Sequence, residues 1–164
     1  RREAMKVHAS AELYDPAAGR FTATGNMTIV RHKHAAALLQ DGNVLIAGGS
    51  DNRDQQGQYS SAEIYDAGKG SFKPIADMNS ARYKLTSAVV VLKDGEVLIA
   101  GGASIVEFYD PSRNKFNAAS GELDTARFFS SATLLRDGRV LITGGYDDHG
   151  STGVKAWLFD AAKS

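Results

Sequence analysis

The chain contains no cysteine. That removes disulfides, thiolate nucleophiles and cysteine metal sites together, while a reduced cytosol and a cysteine-free secreted protein both remain open as compartments. An excess of charge is also missing, since 19 Lys and Arg balance 19 Asp and Glu. Without a basic field, neither nucleic acid nor a membrane surface is expected as a partner. No apolar stretch nears the ~18 residues that a membrane span needs. The opening segment, R-R-E-A-M-K-V, has no apolar signal-peptide core, and the twin arginines Arg1-Arg2 are followed by no hydrophobic segment. Because it does not start with Met, the chain reads as cut from something longer. Motifs of nucleophilic and phosphate chemistry are lacking too: there is no G-x-S-x-G and no phosphate loop.

What is present is repetition. Over 164 residues, 43% hydrophobic and 23% charged, the composition is that of an ordinary globular domain. One stretch, H-A-A-A-L-L-Q-D-G-N-V-L-I-A-G-G (His34 to Gly49), returns as T-S-A-V-V-V-L-K-D-G-E-V-L-I-A-G-G (Thr86 to Gly102) and as S-S-A-T-L-L-R-D-G-R-V-L-I-T-G-G (Ser130 to Gly145). Apolar runs of strand length, closed by glycine pairs, predict strands rather than helices. The Asp-Gly pair between them predicts a two-residue type I′ hairpin turn. Near-continuous apolarity predicts strands covered on both faces by neighbouring sheets.

A second unit alternates with the first. S-A-E-L-Y-D-P-A-A-G-R-F (Ser10 to Phe21) recurs as S-A-E-I-Y-D-A-G-K-G-S-F (Ser61 to Phe72) and I-V-E-F-Y-D-P-S-R-N-K-F (Ile105 to Phe116), with a last version, K-A-W-L-F-D-A-A-K-S, at Lys155 to Ser164. Each reads as strand, turn, strand. Connectors ending in arginine lead into the hairpins: M-T-I-V-R (Met27 to Arg31), M-N-S-A-R (Met78 to Arg82) and L-D-T-A-R (Leu123 to Arg127). The period, about 44 to 51 residues, falls in the range of propeller blades.

These words in this order resemble the kelch motif: D-G-x-V-L-I-A-G-G, then x-E-x-Y-D-P, an aromatic, and M-x-x-x-R. The glycine pairs are Gly48-Gly49, Gly101-Gly102 and Gly144-Gly145; the motif tyrosines are Tyr14, Tyr65 and Tyr109, with Phe159 in the last copy. The family usually has tryptophan where this chain has Phe21, Phe72 and Phe116. The resemblance implies an all-β, kelch-type β-propeller of four-stranded antiparallel blades. The expected divisions are a partial blade at 1–26, blades at 27–77 and 78–122, and an incomplete blade at 123–164. Propellers close with roughly 4–8 blades, so two complete and two partial blades do not close a ring. The resemblance extends to copper oxidases similar to galactose oxidase, but their tyrosine–cysteine cofactor cannot be built without cysteine.

Antiparallel geometry sorts the loops. The Asp-Gly and Asp-Pro turns belong to one face; the loops after Gly-Gly and the arginine connectors belong to the other. Two long polar loops, Ser50 to Ser60 and Tyr146 to Gly153, flank the minimal Ala103-Ser104 and leave a notch over the middle blade. Unequal loops on a rigid repeat are where recognition is expected. The candidate binding residues are Arg53, Tyr59, Arg82, Tyr83, Phe128, Tyr146, Asp147 and His149, chosen because aromatics and arginine favour recognition surfaces.

Arg31, Arg82 and Arg127 admit two roles, attraction of an acidic ligand at the channel mouth or tying the connector to a neighbouring blade by donation to backbone carbonyls; recurrence with the repeat favours the second. His32 and His34 would share one face of a strand, but Arg31 and Lys33 beside them disfavour a metal. Asp51-Asn52-Arg53-Asp54 and Asp147-Asp148-His149 lack the calcium-loop pattern. Asn26-Met27-Thr28 matches the glycosylation acceptor triplet. No metal and no cofactor are expected.

The reading is a non-catalytic binding or scaffold module holding a protein or carbohydrate through one propeller face. Two alternatives stand beside it: the propeller portion of a larger secreted enzyme of oxidase or glycan-active type, and a propeller fragment that assembles with copies of itself.

Overall fold

The computed structural model describes residues 5–160, so Arg1-Arg2 and residues 161–164 of the last repeat unit lie outside the described residues. Within them the chain forms thirteen strands and one short 3₁₀ turn, Asp54–Gly57. The strands make four antiparallel sheets that follow one another along the sequence. A two-stranded hairpin comes first, β1 (Glu12–Asp15) and β2 (Arg20–Ala23). A four-stranded sheet follows, made of β3 (Ala35–Leu38), β4 (Val44–Ala47), β5 (Ala62–Asp66) and β6 (Ser71–Pro74). The next is also four-stranded: β7 (Val89–Val91), β8 (Val97–Ile99), β9 (Ile105–Asp110) and β10 (Lys115–Glu122). A three-stranded sheet closes the series: β11 (Ser131–Leu134), β12 (Val140–Thr143) and β13 (Ala156–Phe159). These are blades of an unclosed propeller, two of four strands and two partial.

The hairpin turns differ from the sequence expectation. Gly42 donates to Leu39 O at 3.1 Å and Leu39 donates to Asn43 O at 2.8 Å, and the same pair of bonds recurs at Leu92–Glu96 and Leu135–Arg139. Only the glycine has positive φ (+86° at Gly42), not the aspartate before it. This is a type I turn closed by a glycine bulge, not a type I′ turn, which needs positive φ at both central residues. The aspartate instead keeps ordinary φ and bonds the backbone two residues on: Asp41 Oδ1 accepts from Asn43 N at 3.0 Å, with equivalents at Asp94 and Asp137.

The second glycine of the first two pairs carries the join between sheets. Gly49 and Gly102 have φ of +90° and +75°, and a Cβ there would lie 2.6 Å from His32 O and 2.7 Å from Tyr83 O. With no side chain in the way, Gly49 N donates to Arg82 O of the next repeat at 2.9 Å, and Gly102 N to Arg127 O at 2.8 Å. Lys84 N donates to Lys33 O, and Phe129 N to Lys84 O, continuing the ladder from blade to blade. The first strands β3, β7 and β11 are accordingly neighbours.

Apolar side chains fill the two gaps on either side of the β7–β10 sheet. Leu45, Ala47, Met78, Leu85, Val97, Ile99, Tyr109 and Phe116 form one core layer. Leu98, Val106, Phe108, Leu123, Val140 and Ile142 form the other, with Trp157 and Phe159 against it. Strand β8 supplies alternate residues to both layers, which explains its unbroken apolar sequence. The motif tyrosines pack on the following aromatic at 4.9, 4.9 and 4.8 Å between ring centroids (Tyr14–Phe21, Tyr65–Phe72, Tyr109–Phe116).

Candidate functional site

The arginine connectors sit at the end of the blades where the long loops emerge. Arg31 donates through Nη1 to Gly48 O at 2.6 Å and Ser61 O at 3.1 Å, and through Nη2 to Glu63 Oε1 at 2.7 Å. Arg82 does the same with Gly101 O, Ile105 O and Glu107 Oε1. Glu63 in turn accepts from Thr28 N at 2.6 Å, and Glu107 from Asn79 N at 2.7 Å, so each carboxylate fastens its own connector. Both ion pairs are fully buried. Burial lowers the Arg82 pKa from its ordinary value, opposed by the Glu107 charge. Arg82 is therefore placed inside the blade, with its guanidinium turned to carbonyls and Glu107 instead of solvent. A partner for arginine was legible in the recurring E-x-Y-D word, at Glu63 and Glu107.

The third repeat departs from this scheme. Trp157 stands where the glutamate should be, and the Arg127 guanidinium lies 4.9 Å above its ring. Its carboxylate comes from the connector itself: Asp124 Oδ1 accepts from Arg127 Nη2 at 3.1 Å, and Asp124 Oδ2 from Lys155 Nζ at 2.7 Å. Lys155 first, then Arg127, holds the Asp124 carboxyl below its usual range.

Over the middle blade, three of the eight candidate residues come together. Tyr83 meets Phe128 at 5.2 Å between centroids, and Phe128 meets Tyr146 at 5.8 Å. Phe129 completes the group, 6.1 Å from Tyr146 and about half exposed. The ammonium of Lys84 lies 4.7 Å from the Tyr83 centroid, 5.2 Å from Tyr146, 5.3 Å from Phe128 and 5.9 Å from Phe129. Burial works against the charged form of Lys84, but the hydroxyls of Tyr146 and Tyr83 together outweigh it and its pKa is raised. Lys84, Phe129 and Lys33 occupy one position of the repeat, two residues after the connector arginine, and all three have positive φ, between +54° and +57°. Phe129 and Lys84 were missed as site residues. The only signal was that shared register, which says nothing about which way the side chains gather.

The remaining candidates lie apart. Arg53 is occupied by Asp51, which accepts from Nε at 2.9 Å and from Nη2 at 2.5 Å. Tyr59 lies beneath Arg31, 5.6 Å from its guanidinium carbon. Asp147 shapes its own loop, accepting from His149 N at 3.0 Å and Ser151 N at 2.8 Å. His149 projects into solvent beside Asp148. Lys33 bonds Asp54, whose carboxyl is held below its ordinary range chiefly by that bond, and His32 Nε2 lies 3.2 Å from the same carboxylate. The pKa of His34 is lowered by burial first and then by the Arg31 charge.

Comparison with known proteins agrees with the repeat reading. Residues 31–79 match the family model described as the kelch motif. Over 117 residues the chain is 32% identical to human Kelch-like protein 34, an alignment that takes in 68% of this chain and 18% of the relative's length. The chain thus spans less than a fifth of that protein. With glycine pairs joining the blades, tyrosines stacked on the following aromatics and arginines locked beneath the connectors, the chain belongs to the kelch-repeat family.

Proposed function

We propose that the chain is a non-catalytic recognition module that binds a partner protein through the face carrying loops 50–60, 103–104 and 146–153. One observation carries the reading: four aromatic rings, contributed by two successive repeats, gather in one cluster in which buried Tyr83 and Phe128 back Tyr146 and a half-exposed Phe129. Aromatic side chains fixed by their neighbours offer contact area at little entropic cost, which is what the centres of protein interfaces use. Kelch repeats and a kelch-like relative support an interaction module. The flanking loops would supply the rim.

Selection of a displayed random-peptide library on the purified chain, repeated on Phe129→Ser, tests this. The expected result is a set of peptides whose affinity falls by about tenfold or more on Phe129→Ser, with the melting temperature unchanged. Peptides that bind both proteins equally would remove this surface from the proposal. Capture on a glycan array with no peptide selected would replace protein by carbohydrate.

A further inference from the structure

We infer that Lys84 is the charge-reading centre of this face and that the partner places a single carboxylate on it. The inference rests on the protein-binding reading above and names the partner's chemistry.

Two lysines at one repeat position, Lys33 and Lys84, have different surroundings. Lys33 donates to Asp54 Oδ1 and is thereby neutralised. Lys84 forms no ion pair among the described residues: the Asp54 carboxylate, held by Lys33, feels its charge only at a distance, and its ammonium lies among the rings of Tyr83, Phe128, Phe129 and Tyr146. Ring faces and tyrosine hydroxyls stabilise a cation without cancelling its charge. They also displace water from it, so a carboxylate arriving from outside meets a stronger field than at an open lysine.

The site suits one carboxylate better than a phosphate. A phosphate is usually held by several donors, often backbone N–H groups or an arginine fork. Here the adjoining backbone donors are already used: Lys84 N goes to Lys33 O and Phe129 N to Lys84 O. Arg82 and Arg127 are turned inward to Glu107 and Asp124. A cationic or methylammonium ligand would meet Lys84 in the place it needs. What remains is one ammonium framed by apolar ring surface, matched by an acidic group with apolar neighbours.

The carboxylate could come from an Asp or Glu side chain or from a chain terminus. Peptides selected on the unaltered chain are therefore synthesised in four forms: the parent, each acidic side chain as its amide, the C-terminus as acid or amide, and phosphoserine at the acidic position. Each is titrated by calorimetry against the unaltered chain, Lys84→Met, Lys84→Arg and Phe129→Ser. Lys84→Met keeps the stem among the rings and removes the charge. The expected result is about a tenfold loss for the parent on Lys84→Met, no further loss for the one form that lacks the critical carboxylate, and partial recovery with Lys84→Arg. The form that loses its Lys84 dependence identifies side chain or terminus.

Unchanged parent affinity on Lys84→Met, with loss on Phe129→Ser, overturns the inference and leaves the binding face intact. Lys84 dependence confined to the phosphoserine form overturns the carboxylate. Absence of any peptide sensitive to Phe129→Ser overturns face and inference together. Lys84→Gln repeats the test should Lys84→Met lower the melting temperature.

Discussion

In the β7–β10 sheet Glu107, Tyr109 and Phe116 are buried, whereas their repeat counterparts Glu12, Tyr14 and Phe21 in the β1–β2 hairpin face solvent. The local geometry is nonetheless alike. Tyr109 and Phe116 stack at 4.8 Å, Tyr14 and Phe21 at 4.9 Å, across the same antiparallel register. Strand pairing and the aromatic contact need only the hairpin itself. Burial, and with it most of the stability, needs sheets on either side. One word of sequence therefore makes a core in one place and an exposed ribbon in another.

Breaking the ion pair should separate the two regions most. Glu107→Ala leaves Arg82 buried without its carboxylate and should cost about 3–5 kcal/mol, while Glu12→Ala on the exposed strand should stay within about 0.5 kcal/mol. Urea unfolding of both variants measures it. Comparable losses would mean that the hairpin is covered in solution.

Truncating a leucine in each region should separate them less. Leu98 is fully buried between blades, and Leu98→Ala should cost about 3 kcal/mol. Leu13 is 52% exposed, and Leu13→Ala should cost well under about 1 kcal/mol. If Leu13→Ala approached Leu98→Ala in the same unfolding series, the contrast between sheet and hairpin would fail.

The smallest effect sharpens a second comparison, between Arg82 with its strand glutamate and Arg127 with its connector aspartate. Asp124 has a folded-state pKa below its unfolded value, first through Lys155 and then through Arg127. Its contribution is present above the unfolded carboxylate pKa, near about 4, and is lost as pH falls through the folded value. Asp124→Asn should therefore be slightly less stable than the unaltered chain at neutral pH, and the gap should close in acid. Melting curves from neutral to acidic pH follow it. A gap that persisted in acid would assign Asp124 a role other than its charge.

Much of the fold could be read in advance. The glycine pairs, the Asp-Gly words and the E-x-Y-D units mark strands and turns because they act over a few residues, where backbone sterics decide. Even there the turn type was misread: the bulge places positive φ on Gly42 alone, and Asp-Gly composition does not distinguish the two turns. Arg31 and Arg82 were read correctly toward carbonyls, but these belong to their own blades and not to a neighbouring one, Arg127 turns to Asp124 instead, and the carboxylate partners Glu63 and Glu107 escaped notice although both recur in register.

The candidate site was less legible. Tyr83, Phe128 and Tyr146 were picked for residue type and loop position, and the structure gathers them; Arg53, Asp147 and His149 were picked on the same grounds and stand apart. The sequence by itself determined the hairpins, the places of their turns and their spacing, since these follow from contacts between near neighbours in the chain. Only the tertiary structure decided that Lys84 meets Phe128 and Tyr146, residues more than a full hairpin away, because the backbone ladder from Lys33 through Lys84 to Phe129 sets one blade against the next.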